Sequence, residues 1–309
     1  MSQELHDGFA DWIALDWGTT HLRGWAMVGE TVIGEIRSEA GMNALADRDA
    51  FEQALFEAIG PWVPIDDGAR KLSVVACGMV GARQGWREAS YLRVPTAPRG
   101  EARYVPTMLD FVDVAILPGV AQDDPPDVMR GEETQIAGLL AAEPDFEGLV
   151  CLPGTHTKWA RIADGRIEAF RTAMTGELFD LLSTRSVLRH SVDPYWDEGL
   201  FAAAVVEGAA APETLPVALF GIRAGQLLEG AIAGECRARL SGLLIGAELA
   251  AIASLREGVA AVRIIGAPAL ADHYAKALGA LGQGAILHDG AETTRAGLLA
   301  AYREIGRCF

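Results

Sequence analysis

A strand, a tight Gly-Thr turn and a second strand occur twice in this chain, and that repetition constrains the fold more than any single motif. The first copy is Ile13-Ala14-Leu15-Asp16-Trp17-Gly18-Thr19-Thr20-His21-Leu22-Arg23-Gly24-Trp25, and the second is Leu149-Val150-Cys151-Leu152-Pro153-Gly154-Thr155-His156-Thr157-Lys158-Trp159-Ala160. Gly18-Thr19 aligns with Gly154-Thr155, and Trp25-Ala26 is read against Trp159-Ala160. Each copy then reaches a basic and hydroxyl pair, Arg37-Ser38 or Arg171-Thr172, and ends at a glycine, Gly41 or Gly176. Two hairpins of one design imply two similar halves, each presenting a turn toward a shared cleft.

The turn chemistry suits phosphate. A glycine lets backbone approach a polyphosphate closely, while amide and hydroxyl donors at Gly18, Thr19 and Thr20 in one copy, and Gly154, Thr155 and His156 in the other, can meet its oxygens. Asp16 points where a metal would sit, although an Asp before Gly also serves ordinary turns. Leu152 stands at its place in the second copy, so the two turns carry one metal-directed carboxylate. Lys158 is either a phosphate contact or a solvated charge.

Four further stretches narrow the family. Cys77-Gly78-Met79-Val80-Gly81-Ala82-Arg83-Gln84-Gly85-Trp86, Val128-Met129-Arg130-Gly131-Glu132-Glu133-Thr134-Gln135, Pro153-Gly154-Thr155-His156-Thr157-Lys158-Trp159 and Met174-Thr175-Gly176-Glu177-Leu178 together resemble the 2-dehydro-3-deoxygalactonokinases. The duplicated turn is similar to that of the sugar kinase and actin superfamily of ATPases. The resemblance runs over nearly the whole chain. It implies a two-domain α/β protein with the actin-like ATPase (ribonuclease H-like) fold, ATP and Mg²⁺ as cofactors, and phosphorylation of the terminal 6-hydroxyl of 2-dehydro-3-deoxy-D-galactonate. It also implies a proton-accepting carboxylate at a helix start between the hairpins, where Glu132 and Glu133 both fit. Glu in a first helical turn is equally favoured by the helix dipole. Gly266 stands at the adenosine-binding turn of the superfamily, with Ala267 where a second glycine is usual. The alternatives are a kinase of a related 2-keto-3-deoxy sugar acid, or a non-catalytic nucleotide-binding sugar sensor.

A sugar acid brings a carboxylate, best met by a bidentate guanidinium. Arg83 is the first candidate, with Arg23 and Arg171 behind it, and Arg87 joins the basic residues worth following; Arg23 could instead brace the two strands. Trp17, Trp86, Met42 and Asn43 could shape a sugar pocket, or the tryptophans could simply pack. No Gly-x-Gly-x-x-Gly follows a strand, which disfavours a nicotinamide dehydrogenase.

With 309 residues, 50% apolar, the chain can fill two cores. A net charge of -16 opposes nucleic-acid and anionic-membrane binding, and it makes the few basic residues near an anionic substrate act against the overall field. Cys77, Cys151, Cys236 and Cys308 lie too far apart for a Cys-x-x-Cys zinc pattern or a disulfide framework. The polar start Met1 to Asp7 and the lack of an apolar run of roughly 18 residues point to a cytoplasmic protein with no membrane partner. The oligomeric state stays open, a homo-oligomer included.

Along the chain, residues 12 to 40 suit a β-meander, 47 to 59 a helix ended by Gly60-Pro61, and 72 to 76 a buried strand that leads into the Arg83 to Trp86 loop. A strand near 113 to 117 precedes a Pro-rich loop, 118 to 126, taken as the crossing between domains 1–117 and 118–309. Helices are expected at 132 to 142, at 176 to 187 and through 199 to 255, where Gly242, Gly246 and Ala250 suggest close helix packing or a surface opened for a nucleotide base. A strand at 262 to 266, a helix from 270, a strand at 285 to 288 and a helix over 292–305, packing back on the first domain, complete the pattern.

Overall fold

The computed structural model describes residues 8–63, 71–192, 195–229 and 233–306. Met1 to Asp7 and Cys308 lie outside them. Contacts divide the chain into two compact units. The first holds 1–146, 165–167 and 291–309, and the second the remainder.

The first unit opens with β1 (Trp12–Trp17), β2 (Leu22–Val28) and β3 (Thr31–Ser38), the expected meander, followed by helix α1 (Arg48–Ile59). Asp47 starts α1 by accepting the amides of Asp49 and Ala50, the standard way to satisfy the free N–H groups of a helix start. Then come β4 (Leu72–Gly78), β5 (Tyr91–Arg93), β6 (Arg103–Val105), β7 (Val112–Ile116), β8 (Gly119–Asp123), β9 (Pro126–Met129) and helix α2 (Glu132–Ala142). The main sheet runs β3-β2-β1-β4-β7-β6, with β1, β4 and β7 parallel; β5, β8 and β9 form a second small sheet.

The Pro-rich stretch expected as a crossing is instead the β8–β9 hairpin of this unit. Gly119, Val120 and Ala121 are buried and pair with Tyr91, Leu92 and Arg93. The division therefore falls after Phe146, and 118–146 belongs with the first unit.

The second unit begins with β10 (Gly148–Leu152), β11 (Thr157–Ala163) and β12 (Arg166–Ala173), then helices α3 (Thr175–Thr184), α4 (Glu198–Ala210), α5 (Leu215–Glu229), α6 (Ala233–Ala251) and α7 (Ala253–Arg256). It ends with β13 (Ala261–Gly266), helix α8 (Pro268–Ala280) and β14 (Gly284–Asp289). Its sheet order is β12-β11-β10-β13-β14, with β10, β13 and β14 parallel, the same plan as β3-β2-β1-β4-β7. The duplicated strand-turn-strand core is therefore a duplicated sheet.

The register revises one detail. Asp16 pairs with Arg23 and Leu152 with Lys158, so Lys158 occupies the place of Arg23 and Trp159 that of Gly24. Trp25 and Trp159 are thus offset by one residue, which turns them to opposite faces of equivalent sheets. Trp159 joins the core beneath α4 and α6, whereas Trp25 joins Trp12, Cys77 and Leu298 on the face covered by the last helix, α9 (Gly290–Ile305).

The small-residue stripe on α6 serves packing. A Cβ on Gly242 would stand 2.5 Å from the Phe201 carbonyl oxygen, and one on Gly246 2.3 Å from that of Val205, so α4 lies directly on the stripe. Among the described residues no single helix is long and apolar enough to cross a membrane.

Candidate active site

In the first unit the turn between β1 and β2 is closed by the Gly18 amide, which donates to the His21 carbonyl at 2.9 Å. A second turn, Met42 to Ala44, is hydrogen-bonded onto it, Met42 N to Gly18 O at 3.0 Å and Asn43 N to Thr19 O at 2.9 Å. A Cβ on Gly41 would lie 2.1 Å from the Thr20 carbonyl carbon, which accounts for the glycine at this repeat end. An open recess of about 490 Å³ is lined by Asp16, Thr19, Thr20, Arg23, Arg37 and Ser38, among others. Asp16 is the more sheltered member of an ion pair with Arg23, 2.6 Å apart with side-chain exposures of 17% and 52%.

The start of α2 comes to the same place. Gly78 ends β4 at φ +90° and Gly131 precedes α2 at φ +109°, conformations that L side chains avoid. A Cβ on Gly131 would be 3.3 Å from Gly78 Cα, and one on Gly78 would be 3.4 Å from Asp16 Oδ1. Glycine at both positions lets β4, α2 and Asp16 converge. Cys77, fully buried here, has its thiol pushed up first by burial and then by the charges of Asp16 and Glu133.

The two glutamates of α2 differ in environment. Glu132 is half-buried and accepts the Arg130 amide at 2.9 Å through Oε2. Glu133 is buried, with both carboxylate oxygens on the Gly131 amide at 2.9 and 2.8 Å. Burial, and then the charge of Glu132, push its pKa up to about 7, against the lowering effect of the backbone donors and Arg130.

The remaining expected residues of this unit separate. Trp17 is fully buried, donates Nε1 to Ala40 O at 2.8 Å, and packs with Phe51 and Trp86. Trp17 therefore lies where a sugar does not reach, and Trp86, 5% exposed, shares that core. Their aromatic stack holds the 82–90 loop over α1. Met42 is half-buried against the core, Asn43 is exposed on the second turn, and Arg83 is exposed on the loop.

In the second unit, Gly154 has open space where a Cβ would stand, and Thr155 and His156 are exposed. The start of α3 closes on this turn as Gly41 does on the first. A Cβ on Gly176 would lie 2.3 Å from Gly154 O, and the Glu177 amide donates to Thr155 O at 3.0 Å. His156 pairs with Glu177 at 2.6 Å, and His21 pairs with Glu39 at 3.0 Å in the first unit. Lys158 is buried, not solvated, and its Nζ donates to His156 O at 3.3 Å. Arg171 is half-buried and donates to Phe170 O at 2.8 Å. Gly266 lies beside the turn, since a Cβ there would be 3.2 Å from Pro153 Cγ, and Ala267 precedes Pro268 at the start of α8.

Beneath the second turn lies a buried network that periodicity does not reveal. Glu248 on α6 accepts Trp159 Nε1 at 2.6 Å and the Tyr274 hydroxyl at 3.0 Å, and Tyr274 bonds Thr157 at 2.8 Å. Burial raises the Glu248 pKa against donors that include Thr175. One carboxylate thereby ties β11, α3 and α8 together behind Gly154 to Thr157.

No group of three or more metal-ligating side chains occurs among the described residues. Asp16 alone fits an ion that keeps most of its water and takes its other ligands from phosphates, the usual habit of Mg²⁺.

Similarity to known proteins runs over nearly the whole chain. A family model described as 2-keto-3-deoxy-galactonokinase matches residues 16–301. The chain is 42% identical over 303 residues to the "Probable 2-dehydro-3-deoxygalactonokinase" of Rhizobium meliloti (strain 1021), covering 94% of this chain and 96% of that one. It is 37% identical over 279 residues to the 2-dehydro-3-deoxygalactonokinase of Escherichia coli (strain K12), covering 88% and 91%. A crystal structure from Sinorhizobium meliloti, described as a candidate 2-dehydro-3-deoxygalactonokinase, superposes with a TM-score of 0.86 at 40% identity over 95% of this chain and 96% of that one. At 11% identity and a TM-score of 0.52, component A of the Acidaminococcus fermentans (R)-2-hydroxyglutaryl-CoA dehydratase, covering 96% of this chain and 98% of that one, shares the actin-like ATPase fold alone. The chain belongs to the 2-keto-3-deoxy-galactonokinase family.

Proposed function

We propose that this protein transfers the γ-phosphoryl group of ATP to the terminal 6-hydroxyl of 2-dehydro-3-deoxy-D-galactonate. The bond from the γ-phosphorus to the bridging oxygen breaks and ADP leaves with that oxygen. The substrate oxygen bonds to phosphorus, giving the 6-phosphate. The supporting observation is the convergence of Asp16, the Gly18 to Thr20 turn and the α2 carboxylates on one site in a chain so similar to enzymes of that name.

Phosphoryl transfer rests chiefly on positioning and charge stabilisation. The turn donors of Gly18, Thr19 and Thr20, and of Gly154, Thr155 and His156, hold phosphate oxygens, while Gly266 lies toward the nucleoside. Asp16 directs a water-clad Mg²⁺, which when bound neutralises phosphate charge. The hydroxyl proton passes to Glu132, because a base must reach its substrate and this half-buried carboxylate is the more accessible of the pair. With ATP as donor, the reaction belongs in the cytoplasm.

The test is ADP release by the purified protein with ATP and Mg²⁺, across a panel of 2-keto-3-deoxy sugar acids and neutral sugars. Stimulation by the galactonate is expected, and no stimulation by any sugar acid overturns the assignment.

A further inference from the structure

A second recess of the first unit, about 600 Å³, lies between the start of α1, the 82–90 loop and β6. Its charged lining is Arg48, Arg87 and Arg103, with Glu88 and Glu101. In a chain carrying a net charge of -16, several exposed arginines pair with carboxylates, as Arg23 does with Asp16, Arg93 with Asp123 and Arg99 with Glu304. Arg48, Arg87 and Arg103 have no such partner among the described residues, despite the two glutamates in the same recess. Unpaired guanidinium groups gathered in a concavity of this size form a receptor for a carboxylate on a small molecule.

The recess is built onto the candidate active site through fixed contacts. Arg48 directly follows Asp47, the cap of α1, a few residues beyond the Met42 to Ala44 turn that is hydrogen-bonded to Gly18 and Thr19. Arg87 directly follows Trp86, which Trp17 at the end of β1 and Phe51 on α1 hold by ring contacts. The wall made by Ala89 and Tyr91 is braced from behind by Arg130, 9% exposed, whose Nη2 donates to Ala89 O at 2.9 Å and whose guanidinium lies 4.2 Å above the Tyr91 ring. Arg130 also gives its amide to Glu132. Its Nη1 is buried without a hydrogen-bond partner, so a polar group remains unsatisfied behind the wall. Arg87 is thus one residue from the Trp17–Trp86 contact, and Arg130 connects the Ala89–Tyr91 wall with Glu132.

We infer that this recess binds the carboxylate end of the sugar acid, with Arg87 and Arg48 as its principal contacts, Arg103 contributing charge, and Glu88 and Glu101 accepting sugar hydroxyls. The inference rests on the sugar-acid kinase reading above and moves the carboxylate contact from the exposed Arg83 to the arginines of the recess.

The experiment compares wild type with R87Q, R48Q and the double variant, measuring ADP release against sugar acid and ATP separately, together with calorimetric binding of the sugar acid to nucleotide-free protein. The single variants are expected to raise KM for the sugar acid about tenfold or more, and the double variant more steeply, with KM for ATP unchanged. R87K, which keeps the charge and loses the fork, is expected to fall between wild type and R87Q. A sugar-acid KM unchanged in the double variant overturns the inference while the kinase reading stands. A parallel rise in KM for ATP also overturns it, since that outcome marks a general disturbance of the fold. If wild type shows neither turnover nor binding of any sugar acid, the kinase reading and this inference fail together.

Discussion

Asp16 and Arg23 face each other at the end of the first hairpin, and the equivalent pair in the second unit is Leu152 and Lys158. The acid is thus peculiar to one copy, and D16N is expected to lower turnover at least about a hundredfold, because removing stabilisation of transferred-phosphate charge is costly. Near-wild-type kcat in a protein with unchanged circular dichroism would remove Asp16 from the chemistry. The two glutamates separate by kinetics and by stability. E132Q should lower kcat by about 10²–10⁴ if its carboxylate takes the hydroxyl proton. For Glu133, the folded pKa of about 7 lies above the ordinary 4.5, so the folded state holds the proton more tightly and wild-type stability falls as pH rises between those values. E133Q should remove that fall, a difference of up to about 3 kcal/mol by pH 8. Urea denaturation of both proteins at pH 5 and pH 8 decides it, and an identical pH slope in the variant refutes the burial effect. Both glutamates are visible in the sequence at a helix start. Their difference in burial has no local signature, since it follows from packing in a region where Gly131, just before them, approaches Gly78 at the end of β4.

At the scale of elements, each Gly-Thr turn is held by the segment that follows the third strand of its hairpin, through Gly41 in one copy and Gly176 in the other. A Cβ on Gly176 has no room between Gly154 O and Thr155 Cα, at 2.3 and 2.9 Å, so G176A must push α3 off the turn. Raised KM for ATP, about tenfold or more, is the expected result, with KM for the sugar acid affected less; equal KM values for ATP would show that the turn does not depend on this contact. G246A, by contrast, tests packing alone. With Val205 O 2.3 Å from the added carbon, it should cost about 1–3 kcal/mol in urea unfolding. The longer strands and helices were legible from periodicity, whereas the three-residue strands β5 and β6 are too short to show a period. The exceptions are instructive: 118 to 126 reads as loop because of its prolines, yet its Val120 and Ala121 are buried against β5. Trp25 and Trp159 look equivalent until the shorter second turn shifts the register by one.

Across the whole molecule, the first unit is closed by the last segment of the chain. Leu298 and Ala301 of α9 fill the core face carrying Trp12 and Trp25, and Tyr302 stacks on Trp12 at 4.3 Å between ring centroids. Truncation after Gly290 should therefore expose that face and abolish the cooperative tryptophan fluorescence transition of the first unit. A truncated protein that melts like the full chain would show α9 to be dispensable. The sequence by itself determined the duplicated hairpin, the single acid at its first turn, the order of the elements and the family, because these are local patterns repeated in one dimension. Tertiary structure alone decided where the units divide, which glutamate is buried, and that Trp17 packs in the core. It also gathered Arg48, Arg87 and Arg103 around one recess, since burial and charge pairing depend on residues that meet only after strands far apart in the chain have paired.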